Sequence, residues 1–319
     1  MNSKPCGFEN LTDDLLMDIL ARLPAKEVTR SMCVSQLWYT IISSRVFINL
    51  FLESPSSTKR QRLLLSIVDK ADPDKYGFLS SSSSSPRDHS DTSVSVLDQY
   101  LKMPGLGGYV VNALRGLLCV RLGRRVRICN LTTKQRVTLP IIRSSLLAEQ
   151  SDNIWIYFGH DPVRDEYKVL STTWVITEEH RVRSEHQVLV LGPVASWRST
   201  QSRTLPPPHH PFSQDLWVME DMKMKKWSKN TLVLPLSQMN FVQGDQLVMQ
   251  CTCRCGELRL GLKNLTACQP SRYVIYDMEK NKITRILEII PPLHLMFLGI
   301  NKGLQTTYCE DDIESIMYL

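Results

Sequence analysis

Apolar side chains recur at helical spacing from Phe8 to Asn49, FENLTDDLLMDILARLPAKEVTRSMCVSQLWYTIISSRVFIN, and no other stretch restricts the fold so sharply. Leu15, Ile19 and Leu23 form one i, i+4 row, and Leu16 with Leu20 forms its neighbour. The first helix therefore carries a broad apolar stripe. Thr12 stands at the N-cap with Asp13 and Asp14 in the first turn, where the helix dipole favours negative charge. Pro24 ends that helix, because the residue before a proline is pushed out of the α region. The spacing predicts a second short helix from Ala25 to Met32. A third follows from about Ser35, with Leu37, Trp38, Ile41 and Ile42 facing inward. Three short helices cannot bury this much apolar surface among themselves. Either a larger helical core continues from them, or a partner covers what is left.

The run LTDDLLMDILARLPAKEVTRSMCVSQLWYTIIS resembles an F-box, whose usual pattern is LPxxLxxEILxRLPxxxLxRxxxVSKxWxxII. Leu11, Leu15, Ile19-Leu20, Arg22-Leu23-Pro24, Arg30, Cys33-Val34-Ser35 and Trp38 fall on the pattern. Thr12 replaces a proline, Asp18 a glutamate, Ser31-Met32 an aromatic–basic pair and Gln36 a lysine. Thr12 retains a helix start by capping rather than by a preset φ. The resemblance implies docking to a Skp-family adaptor. Leu11, Leu15, Ile19, Leu20, Leu23, Pro24, Val28, Val34 and Trp38 would be shared between the module's own core and that contact. Spacing does not divide them, and Leu15 with Leu23-Pro24 are the contact residues expected first.

Of the 319 residues, roughly 270 follow Asn49, enough for one large β domain or two modest ones. Hydrophobic content of 43% and charged content of 22% are ordinary for a globular chain, and the net charge of +6 is dispersed. The densest basic knot, Arg121, Arg124, Arg125 and Arg127, lies across an expected hairpin with no interleaved aromatics. It reads as a solvated turn rather than a nucleic-acid surface. No run reaches transmembrane length and no apolar signal core opens the chain, so the expected location is cytoplasm, nucleus or both, with no membrane partner. Without a secretory route, the nine cysteines do not suggest a disulfide framework. The sequons at Asn10, Asn130 and Asn264 are then chance matches. Cys251, Cys253 and Cys255 alternate as on one face of a strand, whereas zinc sites favour C-x₂₋₄-C pairs, so no metal is expected.

Arg60 to Val68 reads as a first strand, and Lys70 to Ser95, with its six serines from Ser80 to Ser85, reads as a disordered surface loop rather than a phosphorylation switch. From about Gly107 short alternating runs separated by turns recur: Gly116–Val120, Val126–Ile128, Val137–Leu139, Asn153–Gly159, Tyr167–Ile176 and Gln187–Leu191. Leu216–Glu220 pairs with Trp227–Leu234, and Tyr273–Asp277 with Ile283–Ile289. Such a meander closes into a sandwich, barrel or propeller. GLLCV…VRICNLTTKQRVTLP, YFGHDPVRDEYKVL, LWVMEDMKMKKWSK and RYVIYDMEKNKITRI are similar to the signatures of plant F-box-associated domains, in family order. In that family a further pair of strands separates the WR strand from the WVLED strand. Here only a Pro-rich stretch follows Trp197-Arg198, so a blade's worth of strands is expected to be missing.

The sequence thus reads as an α+β, multi-domain chain. Residues 1–52 form a small three-helix F-box, 53–104 a linker with a Ser-rich disordered loop, and 105–319 an all-β, propeller-like and shortened domain. No nucleophile elbow, P-loop, zinc-protease or dinucleotide motif is present, and His160-Asp161-Pro162 reads as a tight turn with an Asx bond. No catalytic residue and no cofactor is expected. The resemblance implies a substrate-recognition subunit of a Skp–cullin–F-box ubiquitin ligase, joined through the Skp-family adaptor to a cullin scaffold and RING subunit. Two alternatives stand beside it. One is a decoy that binds the adaptor and recruits nothing. The other is a glycan- or small-ligand-binding β domain, with Trp155, Trp174 and Trp217 as its aromatics.

Overall fold

The computed structural model describes residues 11–54, 62–69, 76–80, 92–96, 99–101, 106–146, 154–176, 178, 182–200, 215–221, 226–231, 247–252, 257–262, 271–280, 282–290, 304–312 and 317. Four helices come first, not three: α1 (Asp13–Ala21), α2 (Ala25–Ser31), α3 (Gln36–Ser43) and α4 (Arg45–Glu53). Ser44 makes the extra helix possible, with extended backbone between α3 and α4 and its Oγ accepting the Phe47 N–H at 3.2 Å. Phe47, Ile48, Phe51 and Leu52 then form the buried stripe of α4. Ser35 caps α3 in the same way, through Trp38 N–H. Thr12 occupies the N-cap position of α1, but its side chain makes no capping bond there. Helix α1 ends at Ala21, before the restricted Leu23, and Pro24 serves as N-cap residue of α2. Leu37 was expected inside and is 54% exposed. The buried side of α3 is centred on Trp38, Ile41 and Ile42, and Leu37 lies about 100° round from Trp38.

Nineteen strands are described. A four-stranded sheet, in the order β19 (Leu304–Asp312), β1 (Arg62–Asp69), β2 (Tyr76–Ser80), β4 (Gln99–Leu101), joins the far end of the chain to its first strand. A meander follows in β5 (Tyr109–Leu114), β6 (Leu117–Leu122), β7 (Arg125–Asn130) and β8 (Gln135–Thr138). The next runs through β9 (Ile154–Asp161), β10 (Glu166–Ile176), β11 (Val182–Val190) and the two-residue β12 (Arg198–Ser199). β13 (Asp215–Asp221) and β14 (Lys226–Thr231) make a two-stranded sheet. The last sheet orders β15 (Leu247–Thr252), β16 (Glu257–Leu262), β17 (Ser271–Asp277), β18 (Lys282–Ile290) and β3 (Thr92–Val96), with β3 parallel to β18.

Residues 53–104 are therefore not a plain linker. β1 pairs with β19 and β3 with β18, so β pairing starts at Arg62 rather than near residue 105. RLLLSIV finds its ladder partner β19 far along the chain, which local composition does not reveal, whereas YGFLS pairs with its neighbours β1 and β4. Ser81 to Ser85, Cys253 and Cys255 lie outside the described residues, and of the cysteine run only Cys251, just after a bulge in β15, is described. The basic knot does span the β6–β7 hairpin, turning at Gly123 with φ +55°. Only glycine fits at position 108: φ is +119°, and a Cβ there would sit 2.5 Å from the Arg121 carbonyl oxygen. Asn130 closes the β7–β8 turn, its Oδ1 accepting from the N–H groups of Thr132 and Thr133.

One buried cluster runs from Leu16, Leu20, Val28, Phe47 and Phe51 of the helices into Leu117, Val126, Ile154, Phe158 and Leu189 of two sheets. The helical module thus shares its core with the β domain. A second cluster, containing Phe78, Val110, Leu118, Val120 and Cys129, lies on the other face of the β5–β8 sheet.

Candidate docking site

The two apolar rows of α1 have opposite fates. Leu16 and Leu20 are 4% and 1% exposed, while Leu15 and Ile19 in the neighbouring row are 54% and 44% exposed. Leu23, last in that outer row, and Leu11, just before α1, are half-buried, and Pro24 is exposed. Val28 is fully buried. Val34 is exposed and Trp38 half-buried against the core. Of the nine candidate residues, Leu20 and Val28 therefore serve the module's interior. Leu15, Ile19, Pro24 and Val34 present apolar bulk to solvent, and Leu11, Leu23 and Trp38 lie at the boundary.

Spacing also missed part of this surface. Leu37 and Tyr39 on α3 are exposed, as are Val46 and Leu50, one turn apart on α4. The signal was present in RVFINLFLE: its inward stripe leaves Val46 and Leu50 on the opposite side. In the same helical module the ion pairs Arg22–Asp18 (2.6 Å) and Arg30–Glu27 (2.9 Å) are solvent-exposed. They add little stability. Large apolar side chains exposed on several short helices are the kind of surface a protein partner covers.

The module is also bolted to the β domain by a polar hook. Asn49 on α4 accepts from Arg115 Nη2 at 2.6 Å and donates to Asp165 Oδ2 at 3.2 Å. Arg115 Nε donates to the Tyr167 hydroxyl at 3.2 Å, and His160 Nε2 lies 2.7 Å from Asp165 Oδ1. Arg115 and Asp165 both sit at φ near +50°, in the turns β5–β6 and β9–β10. The His160 contact, aided by Asn49 and Arg45 against the effect of burial, holds the Asp165 carboxyl below the usual carboxylate range. Burial pushes the Tyr167 phenol up, opposed by Arg115. The expected Asx turn is present beside it: Asp161 Oδ1 accepts from Val163 N–H at 3.0 Å and Arg164 N–H at 3.3 Å. Trp155 and Trp174 are half-buried on one face of the β9–β12 sheet, and the side chain of Trp217 lies outside the described residues. Among the described residues no cluster of three or more His, Cys, Asp or Glu is arranged to hold a metal, and no helix is long and apolar enough to cross a membrane.

Residues 8–50 match the F-box domain, and residues 62–215 and 208–289 match the F-box associated beta propeller domain. The chain belongs to the F-box proteins that carry this β domain. Similar proteins come from Arabidopsis thaliana. The putative F-box protein At3g52320 is 42% identical over 368 positions, covering 93% of this chain and 92% of its own length. The F-box/kelch-repeat protein At4g19930 is 31% identical over 396 positions, covering 96% and 90%. The F-box/LRR-repeat protein At2g40920 is 29% identical, covering 88% and 81%. Because 93% of 319 residues is about 297, roughly 70 of the 368 positions shared with At3g52320 have no residue in this F-box protein. The two segments matching the β domain meet at residues 208–215, between β12 and the two-stranded β13–β14 sheet. A substrate-recognition role in a Skp–cullin–F-box assembly, through a Skp-family adaptor, is what this architecture supports in general.

Proposed function

We propose that this chain is the substrate receptor of a Skp–cullin–F-box ubiquitin ligase, docking to the Skp-family adaptor through the outer row of α1 and holding a protein substrate on its β domain. The single observation carrying this is the segregation of the α1 rows: Leu16 and Leu20 are buried, whereas Leu15 and Ile19 stand exposed beside Pro24. The fold does not need those outer side chains apolar, and a partner does. Cullin and RING subunits reach this chain only through the adaptor. Its contribution to chemistry is proximity, since holding a substrate lysine near the charged thioester raises the effective concentration of the attacking amine. No group of this chain takes part in bond making, and it acts in cytoplasm, nucleus or both.

The shared core and the Asn49 hook favour a receptor in which the two parts move as one body, because a fixed adaptor-to-substrate distance sets which lysines reach the thioester. The short β domain favours a second reading, an adaptor-binding decoy that recruits nothing. Co-expression with a Skp-family adaptor and size-exclusion chromatography tests the first step: 1:1 co-elution is expected, and a folded chain that leaves the adaptor behind ends the ligase reading. Reconstitution with cullin, RING subunit and charged E2 then separates receptor from decoy, because a decoy captures no protein whose ubiquitination rises.

A further inference from the structure

The cations of this chain are unevenly placed. Residues 106–146, which form the β5–β8 blade and the segment leaving it, hold eight arginines and lysines and no aspartate or glutamate. The other residues carry 30 basic side chains against 32 acidic ones, so the net charge of +6 comes from this one blade. Protein surfaces ordinarily mix the two signs, because like charges held close together repel. Four of the eight are engaged within the chain. Arg115 holds Asn49, Arg127 donates to the Leu106 carbonyl, and Arg121 and Arg136 have partners of their own. Lys134 stands apart in the β7–β8 turn. Arg124, Arg125 and Arg143 remain, and none of their side chains has an ion pair or acceptor among the described residues.

Backbone bonds gather these three. After β8 the chain runs on beside β7, with the Leu139 N–H on the Val126 carbonyl at 2.9 Å and the Ile142 N–H on the Arg124 carbonyl at 3.1 Å. Arg143 therefore lies next to the β6–β7 turn that carries Arg124 and Arg125. Arg125 and Arg143 are exposed, while the Arg124 Nε is shut away from solvent with no acceptor among the described residues. A buried donor left open costs stability that an incoming oxyanion restores. Glu185, the acidic side chain that the same segment meets on β11, is already engaged by the N–H and hydroxyl of Ser145.

Beside Arg143 a cleft of about 510 Å³ opens between this segment and β12. Pro140, Ile141 and Trp197 give it an apolar lining, and Arg143, Ser196 and Ser199 supply donors. Its walls are held in place: the Trp197 indole N–H donates to the Pro140 carbonyl at 2.7 Å, and the Gln187 amide to the Arg143 carbonyl. Ile141 is nonetheless 49% exposed. We propose that this corner binds an acidic, extended segment of the substrate protein, with one apolar side chain in the Pro140–Ile141–Trp197 cleft and Asp or Glu carboxylates on Arg124, Arg125 and Arg143. Charge complementarity selects the occupant. Three unpaired guanidinia match oxyanions, and an apolar cleft beside them matches a side chain rather than a bare ion. A nucleic acid fits less well, because its backbone needs a track of cations. The other five of this blade are engaged elsewhere or lie at the opposite turn. This deepens the reading of the β domain as the substrate-holding part and rests on it.

The test uses the full chain. The probe is a short, fluorescently labelled peptide of Asp and Glu around a central Leu-Pro pair, followed by anisotropy beside the same peptide made with Asn and Gln. Saturable binding of the acidic probe is expected, weakened about tenfold by Arg143→Glu or Arg125→Glu, largely kept by Arg143→Lys and weakened also by Ile141→Ser. These side chains are exposed, so the variants should melt with the parent chain. Equal binding of the neutral peptide, or binding indifferent to both charge reversals, overturns the proposal. So does binding that loses nothing on Ile141→Ser, because attraction to the field of the blade needs no cleft. A labelled single-stranded oligonucleotide that binds more tightly than the acidic probe overturns it as well and gives the corner to nucleic acid. Adaptor capture is measured on the same samples. Capture without probe binding ends this proposal alone, whereas probe binding without capture ends the ligase reading and leaves the surface standing.

Discussion

Leu15 and Leu20 are both leucines on one nine-residue helix, yet their neighbours give them different work. Leu20 is 1% exposed and sits in the cluster that reaches the β sheets, so Leu20→Ala should destabilise the chain by about 2–5 kcal/mol in denaturant titration. Leu15 is 54% exposed, so Leu15→Asp should leave stability within about 0.5 kcal/mol while abolishing co-elution with the adaptor. Retained co-elution would place the docking surface elsewhere. At the hook, Asp165 sets a pH dependence. Its pKa is lowered on folding, chiefly by the His160 contact, so its stabilising contribution is present above the ordinary carboxylate value and is lost as pH falls through the folded one. Asp165→Asn should lower stability near neutrality and flatten its acid-side decline, read by unfolding midpoints between pH 7 and pH 3. An unchanged slope would mean that Asp165 is not linked to folding.

Helix α4 is the element through which the two parts of the chain meet. Its inward stripe fills the shared core, and Asn49 joins Arg115 and Asp165 across the junction. Asn49→Leu deprives both partners of a bond, which should cost about 1–3 kcal/mol and speed hydrogen exchange in α4. Adaptor capture should persist, because Leu15 and Ile19 lie outside this junction. Arg115→Gly isolates the side chain from its backbone: glycine accepts φ +51° freely, so any gain in α4 exchange reports the lost guanidinium. The two rows of α1 were legible in the sequence, but which row faces out was not. Both are apolar, and α4 decides between them by packing. The hook was illegible for a related reason, since Asn49, Arg115 and Asp165 are distant in sequence and two of them occupy ordinary-looking turns. Hairpins turning at Gly123 and Asn130–Lys134 were readable because turn chemistry is local. The pairings β1–β19 and β3–β18 were not, because nothing near Arg62 or Thr92 names a partner more than 190 residues away.

At the scale of the molecule the shortened β domain is the feature that most changes what the chain can do. The gap after Trp197-Arg198 was visible as a spacing departure, and the two segments that match the β domain meet in the same stretch, at residues 208–215. Grafting the strands that the family places there between residues 200 and 215 should cover the Tyr157 side of the β9–β12 sheet, where Tyr157 is 46% exposed. Each additional 1 kcal/mol of stability raises the melting temperature by about 2–4 °C in a domain of this size, so a blade-sized graft should raise it by several degrees. It should also protect Tyr157 from tyrosine-selective modification. Adaptor capture should be unaffected, because the docking rows lie on α1 and its helical neighbours. A graft that leaves Tyr157 as reactive as before, with no rise in melting temperature, would mean that the added strands pack elsewhere and that Tyr157 belongs to the native surface.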